Sequence, residues 1–407
     1  MQKKIIALAI AAAISAPAFA DTSNVTVYGI ADVSYDSIKN GTASALGAGA
    51  TAAQIAAGTA GATSNRVSSN TSRLGFKGSE DLGDGLSAVW QIESVINMGD
   101  TTGTGTSIGT RNTFAGLSSA SAGTVVLGRH DTPYKLSTRA YDLFGDGIAD
   151  NRSIMGGSPA ANTSTAPAAV LGGTAYTPAS AAASFDGRQN QVLAYISPKL
   201  GGVATLAIGY VNLSPANNLA TSNKQSAVSV AGMFDIGSGF GASLAYESHD
   251  VGTAVIVAPA TTLAAGSKEH ATKLGLSYTQ DAFNVNFAYE KLADNFNAGA
   301  NGLGHNSYYL SGKYSLTAND TIKAAYTKAD SIAADATSTT GAKQFTLGYD
   351  HSLSKRTYVY ALYTKLSNDA NASYMLGNGT ASVGGTSTLA GVGASPSALA
   401  FGMRHTF

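Results

Sequence analysis

The sequence of 407 residues contains no cysteine, a single tryptophan and few charged residues, which make up 12% of the chain. Without cysteine it has no disulfide framework, no thiol nucleophile and no metal site built on thiolates. Basic and acidic residues each number 25, so no basic excess favours a nucleic-acid partner. What remains is a weakly charged chain with 47 glycines and 19 tyrosines.

Long apolar runs are also missing. Beyond the N-terminus, no stretch reaches the ~18 consecutive apolar residues that a membrane-spanning helix requires. Mean hydropathy is close to neutral. A membrane protein of this composition would have to be a β-barrel, in which alternation along each strand mixes apolar with polar residues.

Residues 1–20 have the pattern of a secretory signal peptide. Two lysines near the N-terminus precede an apolar run over 5–14, and a small-x-small motif ends at Ala20. The pattern predicts cleavage there, which leaves one domain over 21–407. Without the two lysines, acidic residues exceed basic ones by two.

Short runs of alternating polarity follow. In "NVTVYGIADVSYD", Val25, Val27 and Val33 share one face, and Thr26 and Asp32 share the other. Similar runs recur to the C-terminus, for example "FNVNFAYEKL" and "RTYVYALYTKL". A period of two is typical of half-buried strands.

Tight turns and long connections alternate between these strands. Turns such as "DLGDG", "SSASAG" and "DIGSG" are rich in turn-forming residues. The long connections are predicted at 37–69, 97–109, 131–187, 213–223, 250–267, 294–304, 331–342 and 366–396. This arrangement predicts an all-β fold, a transmembrane 16-stranded antiparallel barrel with long extracellular loops and short periplasmic turns. Within two of the connections, 41–64 and 156–184 are rich in small residues and are predicted to form exposed loop tips.

The C-terminus, "ALAFGMRHTF", is patterned like a strand with one apolar face. Leu399, Phe401 and Met403 alternate, His405 interrupts the row, and Phe407 ends it. In lipid, an open sheet edge would leave backbone groups unpaired, so the last strand is expected to pair with the first. Phe401 and Phe407 are therefore predicted to act in barrel assembly. The alternative, a soluble sandwich with a C-terminal edge strand, fits sixteen strands and a signal peptide less well.

Four segments together resemble one family. They are "NVTVYGIADVSYD", "TSRLGFKGSEDLGDGLSAVWQIES", "RNTFAGLSSASAGTVVLGRHDTP" and the ending "GMRHTF". The chain resembles, from Asn24 to Phe407, the trimeric general-diffusion porins of Gram-negative bacteria, of the beta-proteobacterial type. The resemblance implies an integral outer-membrane barrel, three per assembly, each with a water-filled pore for passive diffusion of ions and small hydrophilic solutes. It also implies that the third long loop, 131–187, folds inward and narrows the channel.

Charged residues on the predicted inner face are the candidate pore residues. Alternation places Arg73 and Lys77 opposite Leu74 and Phe76, so both are expected to point into the lumen. Arg111 is opposite Phe114 in the same sense, whereas Arg129 shares the parity of Leu127. The resemblance implies that such arginines line one side of the constriction and that loop acids face them. Opposed charges across a narrow lumen would set ion preference. The candidate acids are Asp142, Asp146 and Asp150.

Enzyme and metal sites find little support. The six histidines are scattered without HxxH or HExxH spacing, and no nucleophile motif accompanies them. No cofactor, metal or catalytic residue is predicted. The expected partners are two further copies of the chain, outer-membrane lipid and lipopolysaccharide, the barrel-assembly machinery and small solutes. Two alternatives stay open: a solute-specific porin, and a barrel with a surface-binding or hydrolase role.

Overall fold

The computed structural model describes residues 24–41, 63–99, 108–156, 185–212, 226–250, 255–257, 261–263, 268–294, 304–333, 335–372, 374–377 and 393–407. The predicted signal peptide, 1–20, lies outside the described residues and stays a prediction. So do most of 41–64 and almost all of 156–184.

Sixteen antiparallel strands form one sheet, and each pairs with its neighbour in the chain. The second strand is interrupted at 70–72, and its two segments, β2a and β2b, both pair with the first strand. The strands are β1 Asn24–Lys39, β2a Thr63–Ser69, β2b Arg73–Gly83, β3 Leu86–Val95, β4 Thr113–Ser119, β5 Gly123–Asp131, β6 Arg188–Ile196, β7 Ala204–Asn212, β8 Ser226–Gly237, β9 Phe240–Asp250, β10 Lys268–Gln280, β11 Phe283–Asp294, β12 His305–Ser315, β13 Asp320–Ala329, β14 Ala342–Ser352, β15 Thr357–Asn368 and β16 Ser397–Thr406.

The sheet closes on itself, because β16 pairs with β1. Their register runs without a shift from Ile30 opposite Thr406 to Lys39 opposite Ser397. The predicted 16-stranded antiparallel barrel is therefore confirmed. Closure leaves neither the first nor the last strand of the sheet with a free edge, which is the condition for a β-structure to stand in lipid.

Some of the predicted loop limits are wrong, because strands extend into segments that were predicted as loop. β15 continues to Asn368, although the eighth connection was predicted to begin at 366. The first long connection was predicted at 37–69, but β1 continues to Lys39 and β2a begins at Thr63. These polar residues form strand because their backbone groups are paired, with Ser37 opposite both Asn65 and Leu399. The connection after β9 also contains a hairpin of its own, in which Val255–Val257 pairs with Thr261–Leu263.

Apolar side chains face outward along the strands. On β16, Leu399, Phe401 and Met403 are 42%, 54% and 42% exposed, while Ala398 and Ala400 between them are buried. Leu127 on β5 is 59% exposed in the same way. This outer apolar surface and small or polar inner positions match the alternation expected of a barrel in lipid. Among the described residues, no helix is long and apolar enough to span a membrane.

The terminal phenylalanine lies at the seam between the first and last strands. Its backbone exchanges two hydrogen bonds with Gly29, at 2.9 and 3.1 Å. Its ring covers Gly29 so closely that a methyl group there would overlap the ring. On the inner face, an Arg404 guanidinium nitrogen lies 3.2 Å from Asp32 Oδ2, which adds an ion pair across the same seam.

The third loop, which connects β5 to β6 and is called loop 3 below, folds into the barrel. It contains a short helix, α1 (Pro133–Leu136), and two 3-10 turns, Arg139–Tyr141 and Asn151–Ser153. Its contacts reach three separate parts of the wall: Ser229 on β8, Tyr309 on β12 and Thr71 at the break in β2. A segment this short can touch such distant strands only by crossing the interior, so the inward fold predicted for this loop is confirmed.

Replacing Phe407 by serine is expected to reduce the amount of folded barrel in the outer membrane. The change removes the ring from Gly29 and places a hydroxyl in the lipid-facing row. Phe407→Tyr, which keeps the ring, is the matched control and should assemble nearly as wild type. Both are measured as the fraction that resists unfolding in SDS until heated. Wild-type levels for the serine variant would show that the ring is incidental to assembly.

Candidate functional site

Loop 3 holds its shape through polar side chains that accept backbone hydrogen bonds. The Thr132 hydroxyl caps α1 by accepting from the Lys135 N–H at 3.3 Å. Further along, Asp142 accepts from the N–H groups of Phe144 and Asn151, at 2.9 and 3.1 Å. Asp142 thereby closes the segment 142–151 into a compact turn. Such Asx interactions are the usual reason for aspartate in tight loops.

Two arginines and three aspartates form the centre of loop 3. Arg139 contacts Asp146 at 2.6 Å and lies 3.7 Å from both Asp142 and Asp150. Arg152 contacts Asp150 at 2.6 Å and lies 3.7 Å from Asp146. The three predicted acids are thus brought together, but cations of their own loop surround them.

The barrel wall supplies a second group of charges beside this centre. Arg73 on β2b contacts Asp146 with 2.8 Å between Nη2 and Oδ2. Arg111, just before β4, forms an ion pair with Glu93 on β3. The Tyr28 hydroxyl donates to the other oxygen of Glu93 at 2.9 Å. Arg73 and Arg111 are close enough to Asp146 to interact with its charge.

The other two predicted basic residues lie beside members of this cluster, Lys77 near Tyr28 and Arg129 near Arg111. Lys77 is exposed, with its ammonium nitrogen 5.3 Å from the centre of the Tyr28 ring. Arg129 follows Leu127 at a β-bulge, and its guanidinium donates to the carbonyl of Thr110 at 3.0 Å and to Asn190. Within the described residues, no hydrogen bond or ion pair joins Arg129 to the three loop acids. In the sequence, the position of Arg129 two residues after the outward Leu127 was the signal that its side chain would not face the loop acids.

The environment of loop 3 gives its three acids different proton affinities. Burial and the charge of Asp150 raise the pKa of Asp142 to about 6, against the attraction of Arg139. Burial alone would raise the pKa of Asp146, but Arg139 and Arg73 hold it at about 2. Arg152 and Arg139 likewise overcome burial and keep the pKa of Asp150 below its usual range. Asp146 is therefore held ionised in part by Arg73, the wall cation that it contacts.

An ion cluster that the sequence did not predict closes the base of loop 3. Asp131, at the end of β5, contacts Lys135 at 2.8 Å and Arg188, at the start of β6, at 3.1 Å. Arg188 also donates to Asn112 at 2.7 Å. Because Asp131 and Arg188 flank the loop, they hold its two ends together. The spacing of Asp131 and Lys135, four residues apart, was the available signal.

The wall of β10 and β11 holds loop 3 from the other side. Tyr134 donates its hydroxyl to Glu290 at 2.8 Å, and the Gly156 N–H donates to the same carboxylate at 2.7 Å. Lys273 bridges Glu290 and Asp186, at 3.4 and 2.5 Å. One buried charge network therefore fixes both the outgoing and the returning arm of the loop.

Comparison with known proteins identifies the family. A family model described as Gram-negative porin matches residues 7–372. The chain belongs to the Gram-negative porin family. Outer membrane porin protein 32 of Delftia acidovorans is 28% identical over 410 residues, which cover the whole of both chains. Major outer membrane protein P.IB of Neisseria gonorrhoeae is 34% identical over 135 residues, 33% of this chain and 34% of that protein.

Solved porin structures share the fold. An anion-selective porin from Comamonas acidovorans superimposes with a TM-score of 0.68 at 24% identity, over 95% of this chain and all of that one. OmpF of Salmonella typhi, in complex with daunomycin, gives 0.61 at 15% identity, over 95% of this chain and 98% of that one.

This porin is an integral outer-membrane protein that forms a water-filled channel for passive diffusion of ions and small hydrophilic solutes. A barrel of sixteen strands is wide enough for an aqueous channel, whereas one of eight is filled by its side chains. The resemblance of the sequence to beta-proteobacterial porins is confirmed. The family and the relatives point to a channel and not to an enzyme.

Removing residues 157–184 is expected to leave the barrel and its conductance intact. The outgoing and returning arms of loop 3 lie against each other at Gly156 and Asp186. A methyl group on Gly156 would lie 3.0 Å from Cβ of Asp186. A variant in which two glycines join Gly156 to Phe185 should therefore keep the contacts to Glu290 and Lys273. Heat-modifiability and single-channel conductance measure the result. A matched deletion of 142–151, which removes the charged turn, should change conductance. Loss of folded protein in the 157–184 deletion would contradict the expectation.

Proposed function

We propose that loop 3 and the adjacent wall form the constriction that sets the ion preference of this porin. Arg73 and Arg111 would line its wall side, and Asp146 its loop side. The contact between Arg73 and Asp146 carries this proposal, because it places a wall cation against the loop acid inside the barrel. Lys77 would line a wider part of the lumen, and Asp142 and Asp150 would act from within the loop.

The balance of charge around this point favours anions slightly. On the side of loop 3 that faces β2b to β6, Arg73, Arg111, Arg139 and Arg152 oppose four carboxylates, and the cluster at the loop base adds two cations and one acid. The Lys273 network, with one cation and two acids, lies on the other side of the loop, against β10 and β11. Two unit charges ~4 Å apart interact by about 4 kcal/mol at an effective dielectric constant of 20. The Debye length of about 8 Å at physiological salt exceeds such contacts, so these charges are incompletely screened. We therefore propose a mild anion preference.

We also propose that the porin is a homotrimer with three pores. The outward faces of β4 and β5 carry exposed apolar side chains, with Leu117, Val125 and Leu127 at 49%, 40% and 59%. A solved porin with the same fold, OmpT of Vibrio cholerae, is described in a trimer form. Outer-membrane lipid and lipopolysaccharide would contact the remaining outer surface, and the barrel-assembly machinery would receive the strand that ends at Phe407.

Conductance in planar bilayers is expected to rise by one step at each insertion and to fall in three equal steps as the pores close. Three pores in one assembly should insert together but conduct independently. Mass in mild detergent should correspond to three chains. Single isolated steps from a particle with the mass of one chain would contradict the trimer.

Replacing both Arg73 and Arg111 by glutamine should shift the zero-current potential in a KCl gradient toward cation preference. The change removes two cations and leaves Glu93 without its partner. Asp146→Asn should shift the potential in the opposite direction. At 1 M salt the Debye length is about 3 Å, so both shifts should become smaller.

Arg129→Gln is the matched control for this experiment, because its guanidinium contacts Thr110 and Asn190 and not the loop acids. It removes one cation by the same substitution and should leave the potential near that of wild type. If the double variant also matches wild type, Arg73 and Arg111 do not line the narrow part of the channel.

A further inference from the structure

The part of loop 3 that we call its tip, residues 141–146, lies against the wall of β12 to β14. Ser311 donates to the carbonyl of Tyr141 at 2.9 Å, and the Leu143 N–H donates to the Tyr309 hydroxyl at 3.2 Å. Lys323 donates to the carbonyl of Leu143 at 3.3 Å. These contacts fix the backbone up to the residue before Phe144, which is the side chain that points at the wall.

The ring of Phe144 occupies the space that a side chain at Gly348 would need. A methyl group on Gly348 would lie 2.6 Å from Cε1 and 3.3 Å from Cζ of that ring. The next nearest atom, the carbonyl oxygen of Ala361, would be 3.6 Å away. Contacts shorter than 3.0 Å require something to move, and here the close neighbour is an aromatic ring.

The ring has little freedom to retreat. Phe144 is 6% exposed, and it packs with Met155 and Tyr309 in a buried cluster. The ammonium nitrogen of Lys323 lies 5.0 Å from the ring centre. Protein interiors are close-packed, so a displaced ring displaces the backbone that carries it. A methyl group on Gly348 would therefore move the tip of the loop.

A second inward glycine, Gly275, also lies directly beneath side chains of the loop. A methyl group on Gly275 of β10 would lie 2.4 Å from the Ser243 hydroxyl oxygen on the wall, and 2.5 Å from Cε2 of Tyr141 and 2.9 Å from Cγ2 of Thr138 on the loop. By contrast, at the inward Gly241 of β9 the nearest atom would be the Ser277 hydroxyl oxygen, at 2.6 Å, and none of the three nearest atoms belongs to the loop. At both positions where these aromatic rings of the loop contact the wall, Phe144 at Gly348 and Tyr141 at Gly275, the wall residue is therefore a glycine.

We propose that Gly348, supported by Gly275, is a specificity-determining residue that sets how far loop 3 extends across the lumen. Phe144 lies two residues from Asp146, and a methyl group on the intervening Gly145 would lie 2.5 Å from the Arg139 guanidinium. The tip therefore moves as one body. Any displacement of Phe144 away from β14 therefore also displaces Asp146 and Arg139 and changes the contact between Asp146 and Arg73. This inference rests on the proposed constriction.

The test is the conductance of the full-length porin carrying Gly348→Ala in planar bilayers. Displacement of the tip should lower single-channel conductance and change the zero-current potential in a KCl gradient. The fraction of heat-modifiable barrel should stay at the wild-type level. Gly241→Ala is the matched control, since it also adds a methyl group to an inward glycine but does not touch the loop.

A double-mutant cycle identifies the route of the effect. Phe144→Ala removes the ring, so adding Gly348→Ala to that variant should cause no further change in conductance. An effect of Gly348→Ala that persists without the ring would overturn the proposal. Wild-type conductance of Gly348→Ala would also overturn it.

Two further variants keep the inference separable from the proposed constriction. If Gly348→Ala does not assemble, Phe144→Ala alone decides, because loss of the ring should let the tip approach β14 and raise conductance, and an unchanged value would overturn the proposal. If the Arg73 and Arg111 double variant shifts the potential while the Gly348 and Phe144 variants do not, the constriction stands and the role of Gly348 fails. If none of these variants has an effect, the proposed constriction itself fails.

Discussion

Backbone pairing between the first and last strands is the constraint on which this porin depends. Hydrocarbon offers no partner to an unpaired N–H or C=O group, so the sheet has to close. The seam meets this requirement with an unbroken register of β1 against β16 and with the backbone bonds between Gly29 and Phe407. The ion pair between Asp32 and Arg404 crosses the same seam on the inner face. Once the ring is closed, the outer surface must be apolar and the polar residues must turn inward.

This arrangement, with apolar residues outside and polar residues inside, explains where the tightly packed parts of the molecule lie. Buried apolar clusters form inside the barrel, where loop 3 meets the wall, and not between two layers as in a soluble protein. Inner positions under the loop are small, such as Ala231, Ala245 and Ala288. Part of the eighth long connection joins this packing, since the Gly377 N–H donates to Ser153 at 3.1 Å. The loop is thus a structural core and the boundary of the channel at once.

The charged side chains of loop 3 hold the loop in place and also create an electric field in the lumen. Burying a single ion is costly, and burying a pair is tolerable only when its hydrogen bonds are satisfied. Loop 3 meets this condition with an arginine on either side of three aspartates, and Asp142 and Asp150 accept backbone hydrogen bonds as well. Removing one partner from such a network leaves the other uncompensated. Charges in this network are therefore both supports of the loop and sources of the field in the lumen.

Sequence alone is enough to predict the barrel, its strand number, the alternation of turns and loops, and the outward row that contains Phe401 and ends at Phe407. All of these follow from a local period of two and from turn-forming residues, which need no knowledge of distant parts of the chain. It also singled out Arg73 and Asp146, whose contact at 2.8 Å joins the wall to the loop.

Which charges meet depends on how the chain folds. Arg139, Arg152 and Glu93 enter the site because a loop folds across a closed ring, and no spacing along the chain records that approach. The bulge at Arg129 and the strand pairing of 37–39 depend likewise on partners far along the chain. The place of Phe144 on Gly348 is of the same kind, because a glycine in a strand acquires its meaning only from what packs against it.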